Sequence, residues 1–166
     1  MNFIIEPLGT QHQREEFDCQ EPSLNDFLKL YARQNDSKGL GKTFVAVLPR
    51  KPRVLGYYTI SSGSLAFDNL PEKLPRYPLP VVHLGRLAVA KTAKGQKLGA
   101  FLLLDAFRRS LKIADELGIF AIEVQALSEQ ARIFYLKFGF EELNDDCFHL
   151  YLTIKKIRKL AFISSI

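Results

Sequence analysis

Cysteine and histidine are scarce in this 166-residue chain: Cys19 and Cys147 stand far apart without a CxxC pair, and His12, His83 and His149 are scattered. So few and so widely spaced ligands build neither a zinc site nor a disulfide framework, so a reducing compartment and no bound metal are expected. A lone histidine is far more often a surface or satisfied core residue than a ligand. Also lacking is any apolar run near the ~20 residues that a membrane helix needs. No charged N-terminal segment leads into a signal-type apolar stretch. The expectation is a soluble, unprocessed, cytoplasmic protein. No internal repeat and no low-complexity segment occurs.

What is present is enough apolar residue, 47% of the chain, for one compact α/β or α+β domain. The net charge of +5 is modest but uneven. From Lys29 to Arg53 seven basic residues (Lys29, Arg33, Lys38, Lys42, Arg50, Lys51, Arg53) face a single acid, Asp36. That excess suits either a polyanion or plain solvent.

Along the chain, NFIIEPL (2–8) reads as a short strand. Leu24, Phe27, Leu28 and Tyr31 form an i, i+3, i+4, i+7 stripe behind Ser23, a candidate cap. TFVAVL (43–48) and RVLGYYTIS (53–61) read as a hairpin around PRKP. The four prolines of LPEKLPRYPLP (70–80) exclude a regular helix or central strand. LGRLAV (84–89) is a strand, and Leu104, Phe107, Leu111 and Ala114 trace a helix over 98–117 that Gly118 terminates. IFAIEVQA (119–126) suits a strand buried on both faces. Ser128 caps a short helix with Ala131, Phe134 and Tyr135, ended by Gly139, and FHLYLTI (148–154) is the last strand. The tail, 155–166, carries Lys155, Lys156, Arg158 and Lys159 before AFISSI; it is either a frayed terminus or a partner-docking segment.

Three stretches bear on chemistry. GLGKT (39–43) matches the end of G-x-x-x-x-G-K-[ST], but position 36 is Asp and the residues after Lys42 are strand-like, so a P-loop is rejected. HLGRLAVAKTAKGQKLG (83–99) is a strand, a turn with Gly95, and a helix start. Unpaired amides at such a start, with Lys91, Lys94 and Lys97 around them, suit an anion, although a loop with a single glycine is by itself more often an ordinary strand-to-helix connection. ALSEQARIFYLKFGF (126–140) places Phe134 and Tyr135 on a short helix before Gly139.

The two patterns together resemble the Gcn5-related N-acetyltransferase superfamily, and within it the tRNA-acetylating toxins of bacterial toxin-antitoxin pairs. FDCQEPSLNDFL (17–28), KTFVAV with VLGYYTIS (42–61), YPLPVVHLGRLAV (77–89), KGQKLG (94–99) and ARIFYLKFGF (131–140) carry that resemblance in order. It implies residues 1–154 as one domain, with a mixed, mostly antiparallel sheet, flanking helices, and a splay between the strands near 84–89 and 119–126. The cofactor loop [QR]-x-x-G-x-[GA] falls on 92–97. There Thr92 and Lys97 depart from the pattern without removing an amide donor. The resemblance implies that acetyl-CoA pairs with the backbone of Leu87, Ala88 and Val89 and is held by Lys94, Gly95, Gln96, Lys97, Leu98, Gly99 and Ser128. Tyr135 is the implied general acid toward the CoA thiolate. The resemblance marks no residue of either motif as a general base. An α-amine, with a pKa of about 7.7–8.0, needs less help than a lysine at about 10.4.

With aminoacyl-tRNA as the implied acceptor, Lys29, Arg33, Lys38, Lys42 and Arg86 become candidate phosphate contacts. The resemblance further implies a small ribbon-helix-helix antitoxin, operator DNA reached only through the antitoxin complex, and a homodimer. Two other readings of the residues stay open: an N-acetyltransferase of a small amine or a protein N-terminus, and a non-catalytic nucleic-acid-binding module on the same fold.

Overall fold

The computed structural model describes residues 2–71 and 73–160. Seven strands hydrogen-bond in the order β1-β2-β3-β4-β5-β7-β6. They are β1 (Ile4–Pro7), β2 (Lys42–Val47), β3 (Gly56–Leu65), β4 (Leu79–Val89), β5 (Ala121–Gln125), β6 (Glu141–Glu142) and β7 (His149–Thr153). The β1–β2, β2–β3, β5–β7 and β6–β7 pairs are antiparallel and the β4–β5 pair is parallel. The mixed, mostly antiparallel sheet expected from the sequence is present. Two compact units divide the chain, one formed by residues 1–61 and 85–106, the other by 62–84 and 107–166.

In the first unit the helical segment runs as α1 (Pro22–Asp26), a π-turn (Phe27–Tyr31) and α2 (Ala32–Ser37). Pro22 stands at its first turn and Glu21 at the N-cap with no side-chain cap bond, so Ser23 lies inside the helix and is not its cap. The π-turn changes the expected apolar stripe. Because the Ala32 amide bonds back to the Phe27 carbonyl, one extra residue fits into the turn. Phe27, Leu28 and Ala32 are buried, and Tyr31, expected on the inner face, is 51% exposed.

The core beneath joins Phe17, Phe27, Leu28, Ala32, Val45, Val47, Val54, Tyr57, Ala88 and Ala90. Tyr57 carries its hydroxyl into this core by donating to the Leu24 carbonyl at 2.7 Å, the partner a buried phenol needs. Lys42 opens β2, as the rejection of a P-loop requires.

In the second unit β4 begins at Leu79, earlier than the expected 84, so Leu79 and Pro80 of the proline-rich stretch belong to the strand. A proline is tolerated there because it lies at the strand start, and its carbonyl still accepts from the Phe120 amide at 2.7 Å. The β4–β5 register runs from Val81↔Ala121 to Leu84↔Val124. β4 itself continues to Val89. The splay expected near 84–89 and 119–126 therefore appears as the end of this ladder.

Helix α3 is Leu98–Ala114. It stops short of Gly118, and Leu117 is 61% exposed. Leu98, Leu102, Leu103, Ala106, Phe107 and Ser110 are its buried residues. Leu104 and Leu111, expected inward, are half-buried. An apolar run such as AFLLL (100–104) offers several faces, and packing chooses among them. Strands β5 and β7 lie within their expected ranges, whereas the two-residue β6 gave no alternation to read. Helix α4 (Glu129–Lys137) starts where expected, and Phe140, beyond its end, sits 6.0 Å from the Phe107 ring.

The basic tail is partly ordered: α5 (Ile154–Arg158) is capped by Thr153, whose Oγ1 accepts from the Lys156 amide, and it buries Ile154 and Ile157. That replaces a frayed terminus at 155–158. AFISSI (161–166) lies outside the described residues.

The π-turn predicts an inversion of the usual helix pattern. Ala32→Leu overpacks the core and costs about 1–3 kcal/mol, while Tyr31→Ala stays within about 0.5 kcal/mol. Urea unfolding of the two variants measures both, and the opposite ranking restores a regular α-helix.

Candidate active site

The turn between β4 and α3 is pinned from its own unit. The Lys91 amide donates to the Asp18 carbonyl and the Ala90 amide to the Leu55 carbonyl, both at 2.8 Å. Lys91 Nζ lies 3.2 Å from Asp18 Oδ2, and Lys94 Nζ donates to Gln20 Oε1 at 2.7 Å. The Gln20 backbone amide, then Asn25 and Lys91, hold the Asp18 carboxyl down at about 2.

After a 3-10 turn at Lys91–Ala93, Gly95 takes φ +82° and Lys97 φ +61°. Lys97 occupies a left-handed position where the superfamily pattern carries a small residue. The loop geometry is thus kept with a lysine in the glycine place. The first-turn amides of α3 follow at once, at the positive end of the helix dipole. Lys94, Gln96 and Lys97 are exposed, Gly95 likewise, while Leu98 is buried and Gly99 half-buried. Leu87 and Val89 are half-buried on β4, and Ala88 is packed in the core.

The basic candidates differ in what their charges meet. Arg33 and Lys38 are exposed and Lys29 is half-buried on the helical segment. Lys42 pairs with Asp36 at 2.7 Å. Arg86 lays its guanidinium 3.5 Å from the centroid of the Phe27 ring, a cation–π contact in a half-buried setting. Among the described residues no helix is long and apolar enough to cross a membrane.

Tyr135 sits on α4, 5% exposed, with the Phe134 and Phe140 rings edge-on at 5.3 Å each. Two ends position it. Ser128 Oγ accepts from the Ala131 amide at 3.1 Å, leaving its own O–H free to donate, and Gly139, at φ +96°, turns the chain out of the helix. Burial pushes the Tyr135 hydroxyl above its ordinary value of 10.0, so it stays protonated at neutral pH. A protonated phenol in an apolar wall is suited to give up a proton to a strong base formed beside it.

One constellation escaped sequence reading. Glu123 on β5 takes His83 Nδ1 on Oε1 and His149 Nε2 on Oε2, both at 2.5 Å, and His149 Nδ1 meets Asp145 Oδ2 at 2.9 Å. The register makes it: His83 is directly paired with Glu123, and His149 enters from β7 beside them. With both ring nitrogens on carboxylates, His149 must donate twice and is an imidazolium. Desolvation of His149 is outweighed by its bonds to Asp145 and Glu123, so its pKa is raised. Desolvation of Glu123 is likewise outweighed by the two histidines, so its carboxyl is held below 4.5. The signal available beforehand was the lone carboxylate of IFAIEVQA, since a charge inside a buried strand needs partners. Its partners, 40 and 26 residues away, could not be named without the pairing.

Acyl transfer from a thioester to an amine calls for an anion-holding turn for a phosphorylated carrier and a proton donor for the departing thiolate. The turn before α3 has amides and lysines, Tyr135 is a protonated phenol, and the class of the chain is an N-acetyltransferase. The chain belongs to the acetyltransferase (GNAT) domain family, whose model matches residues 41–142. It is 42% identical over 147 residues to the tRNA-acetylating toxin of Mycobacterium tuberculosis (strain ATCC 25618 / H37Rv), covering 87% of each chain. Among solved structures it resembles a KacT mutant in which a tyrosine is replaced by phenylalanine, with a TM-score of 0.91, 30% identity, and 96% of this chain and 99% of that one covered. It also resembles AtaT complexed with acetyl-methionyl-tRNAfMet, with a TM-score of 0.89, 29% identity, and coverage of 95% and 98%.

Two outcomes follow for the loop and the histidines. A left-handed residue with a side chain costs about 1–2 kcal/mol, and glycine returns about 0.5–1 kcal/mol as unfolded-chain entropy. Lys97→Gly therefore stays within about 1 kcal/mol of the parent, and Lys97→Val, β-branched, loses about 1–2 kcal/mol in urea unfolding. His149, with its raised pKa, contributes stability that is full below 6.5 and lost as pH rises through the folded value. Glu123, with its lowered pKa, contributes above 4.5 and loses it as pH falls through the folded value. The Tm difference between the parent and His149→Gln is thus greatest between pH 4.5 and 6.5 and shrinks on either side.

Proposed function

We propose that this protein transfers acetyl from acetyl-CoA to the α-amino group of aminoacyl-tRNA, blocks translation by doing so, and is neutralised by a cognate antitoxin. The observation that carries the reading is the 42% identity over 87% of both chains to a tRNA-acetylating toxin, together with a buried, protonated Tyr135 on α4. AtaT complexed with acetyl-methionyl-tRNAfMet and AtaTR bound with acetyl-CoA support the acceptor and the cosubstrate. The family model, spanning 41–142, supports 1–154 as a single catalytic domain.

The residues fit the cosubstrate. Leu87, Ala88 and Val89 offer strand backbone to its pantetheine arm. Lys94, Gly95, Gln96, Lys97, Leu98 and Gly99 offer amides and charge to its pyrophosphate, and Ser128 offers a hydroxyl. Tyr135 protonates the thiolate that leaves. On the acceptor side Lys29, Arg33 and Lys38 offer charges to phosphates, Arg33 and Lys38 being exposed. Lys42 can join them by exchanging Asp36, and Arg86 acts from its seat on Phe27.

The reading includes a small ribbon-helix-helix antitoxin, a homodimer, a cytoplasmic site of action, and operator contact only through the antitoxin complex. An AtaT mutant toxin bound to the C-terminus of the antitoxin AtaR and the KacTA–DNA complex support the antitoxin and the operator contact.

Purified charged tRNA incubated with labelled acetyl-CoA becomes N-acetylated by the parent chain. With Tyr135→Phe the rate falls by about 10²–10⁴, while calorimetry shows acetyl-CoA binding retained. Label appearing only on free amines or peptides refutes the tRNA reading, and Tyr135→Phe at parental rate removes Tyr135 as the acid.

A further inference from the structure

We propose that His83 is the base that takes a proton from the acceptor amine, directly or through one water, with Glu123 as its positioning residue and His149 and Asp145 behind it. The assignment rests on the acetyl-transfer reading above.

Four observations bear on it. First, the place is right. His83 and Leu84 form the last two rungs of the β4–β5 ladder. His83 lies four residues before Leu87 on one extended strand, about 13 Å along it at ~3.3 Å per residue.

Second, the tautomer is set. Glu123, buried and ionised, accepts from His83 Nδ1, so the hydrogen of a neutral ring is on Nδ1 and Nε2 keeps its lone pair. Third, the ring is accessible: the His83 side chain is 37% exposed, whereas that of His149 is 15% exposed and tied at both nitrogens. Of the two histidines only His83 keeps a ring nitrogen outside the cluster's hydrogen bonds.

Fourth, the setting is built. Val81, Ala121 and Tyr151 belong to one apolar cluster. His83, Glu123 and His149 lie two residues along the same three strands, hence on the same face. Gly63 of β3 borders that face, since a side chain there would come within 3.3 Å of His83 Cβ and Val81 Cγ2. The charged groups bonded within the cluster are therefore Glu123 from β5, His149 from β7 and Asp145 from the preceding turn. His149 as imidazolium offsets one of the two carboxylates.

The proton balance closes. The acceptor arrives as an ammonium, and His83 Nε2 takes one proton to leave a neutral amine. Its lone pair forms the C–N bond as the thioester C–S bond breaks. The leaving sulfur receives the Tyr135 hydroxyl proton, and the second amine proton, lost as the amide forms, restores that hydroxyl. The products are the amide, free CoA thiol and protonated His83, which returns its proton to solvent.

The test uses the full chain, acetyl-CoA and purified charged tRNA, with kcat and KM followed across pH 5.5–9. In His83→Ala kcat falls about 10²–10³-fold at pH 7, the KM for acetyl-CoA is unchanged, and the acidic limb of the profile is replaced by a steady rise with pH. Added imidazole restores part of the rate. Glu123→Gln displaces the acidic limb and loses about tenfold, and His83→Gln, close in size to histidine, serves as the folding control by circular dichroism. A His83→Ala profile within threefold of the parent overturns the proposal, as does a loss that imidazole leaves untouched while His83→Gln restores it, which is a packing role. A parent chain that acetylates a peptide N-terminus but not charged tRNA refutes the tRNA reading alone, and the same variants are then compared on the peptide. A parent inactive on both overturns both.

Discussion

The parallel ladder between β4 and β5 is the constraint on which the rest depends, because it is short. Parallel pairing demands a crossover, supplied here by the turn after Val89 and by α3. That connection necessarily leaves the C-terminal end of β4 through a turn and a helix start. Rungs exist only from Val81↔Ala121 to Leu84↔Val124, yet β4 extends to Val89. On its β5 side the strand therefore has a paired part, where side chains meet across the sheet, and a part beyond the last rung to β5. The catalytic candidates sort accordingly: His83 and Glu123 belong to the rungs, and Leu87 to Val89 to the extension.

Two buried polar features are tolerated for different reasons. Tyr135 is neutral, so burial costs only the desolvation of a hydroxyl and in return raises its pKa, keeping it a proton donor. Glu123 is charged, and a charge in that position stands only because two imidazoles and, behind one of them, Asp145 compensate it. The first is an isolated donor in an aromatic wall; the second is the centre of a network.

The cationic loop shows how a departure from a family pattern is absorbed. Lys97 adopts the left-handed backbone that a small residue would take at less strain, and keeps the turn into α3. Its charge, with Lys91 and Lys94, adds to the field of the helix start. Arg86 shows a different use of a cation. Its contact with Phe27 ties β4 to the π-turn, the one place where the helical segment departs from regular geometry.

Local pattern was enough for the turn between β4 and α3, the Ser128 and Gly139 boundaries of α4, the β2–β3 hairpin, and the place of Tyr135 on α4. Each rests on interactions within about ten residues, where caps, turns and periodicity act directly on the backbone. The inner face of the first helical segment and that of α3 escaped, because a π-turn shifts register by one residue and an all-apolar run fits several faces. Ser23 failed as a cap because Pro22 had already taken the first helical position. The sequence by itself determined the family, the turn between β4 and α3 and the helix that carries Tyr135. Only tertiary structure decided the partners of Glu123, since His83 and His149 come to it through strand pairing across 40 and 26 residues; a buried carboxylate announces that it needs compensation, but the sheet register alone says by whom.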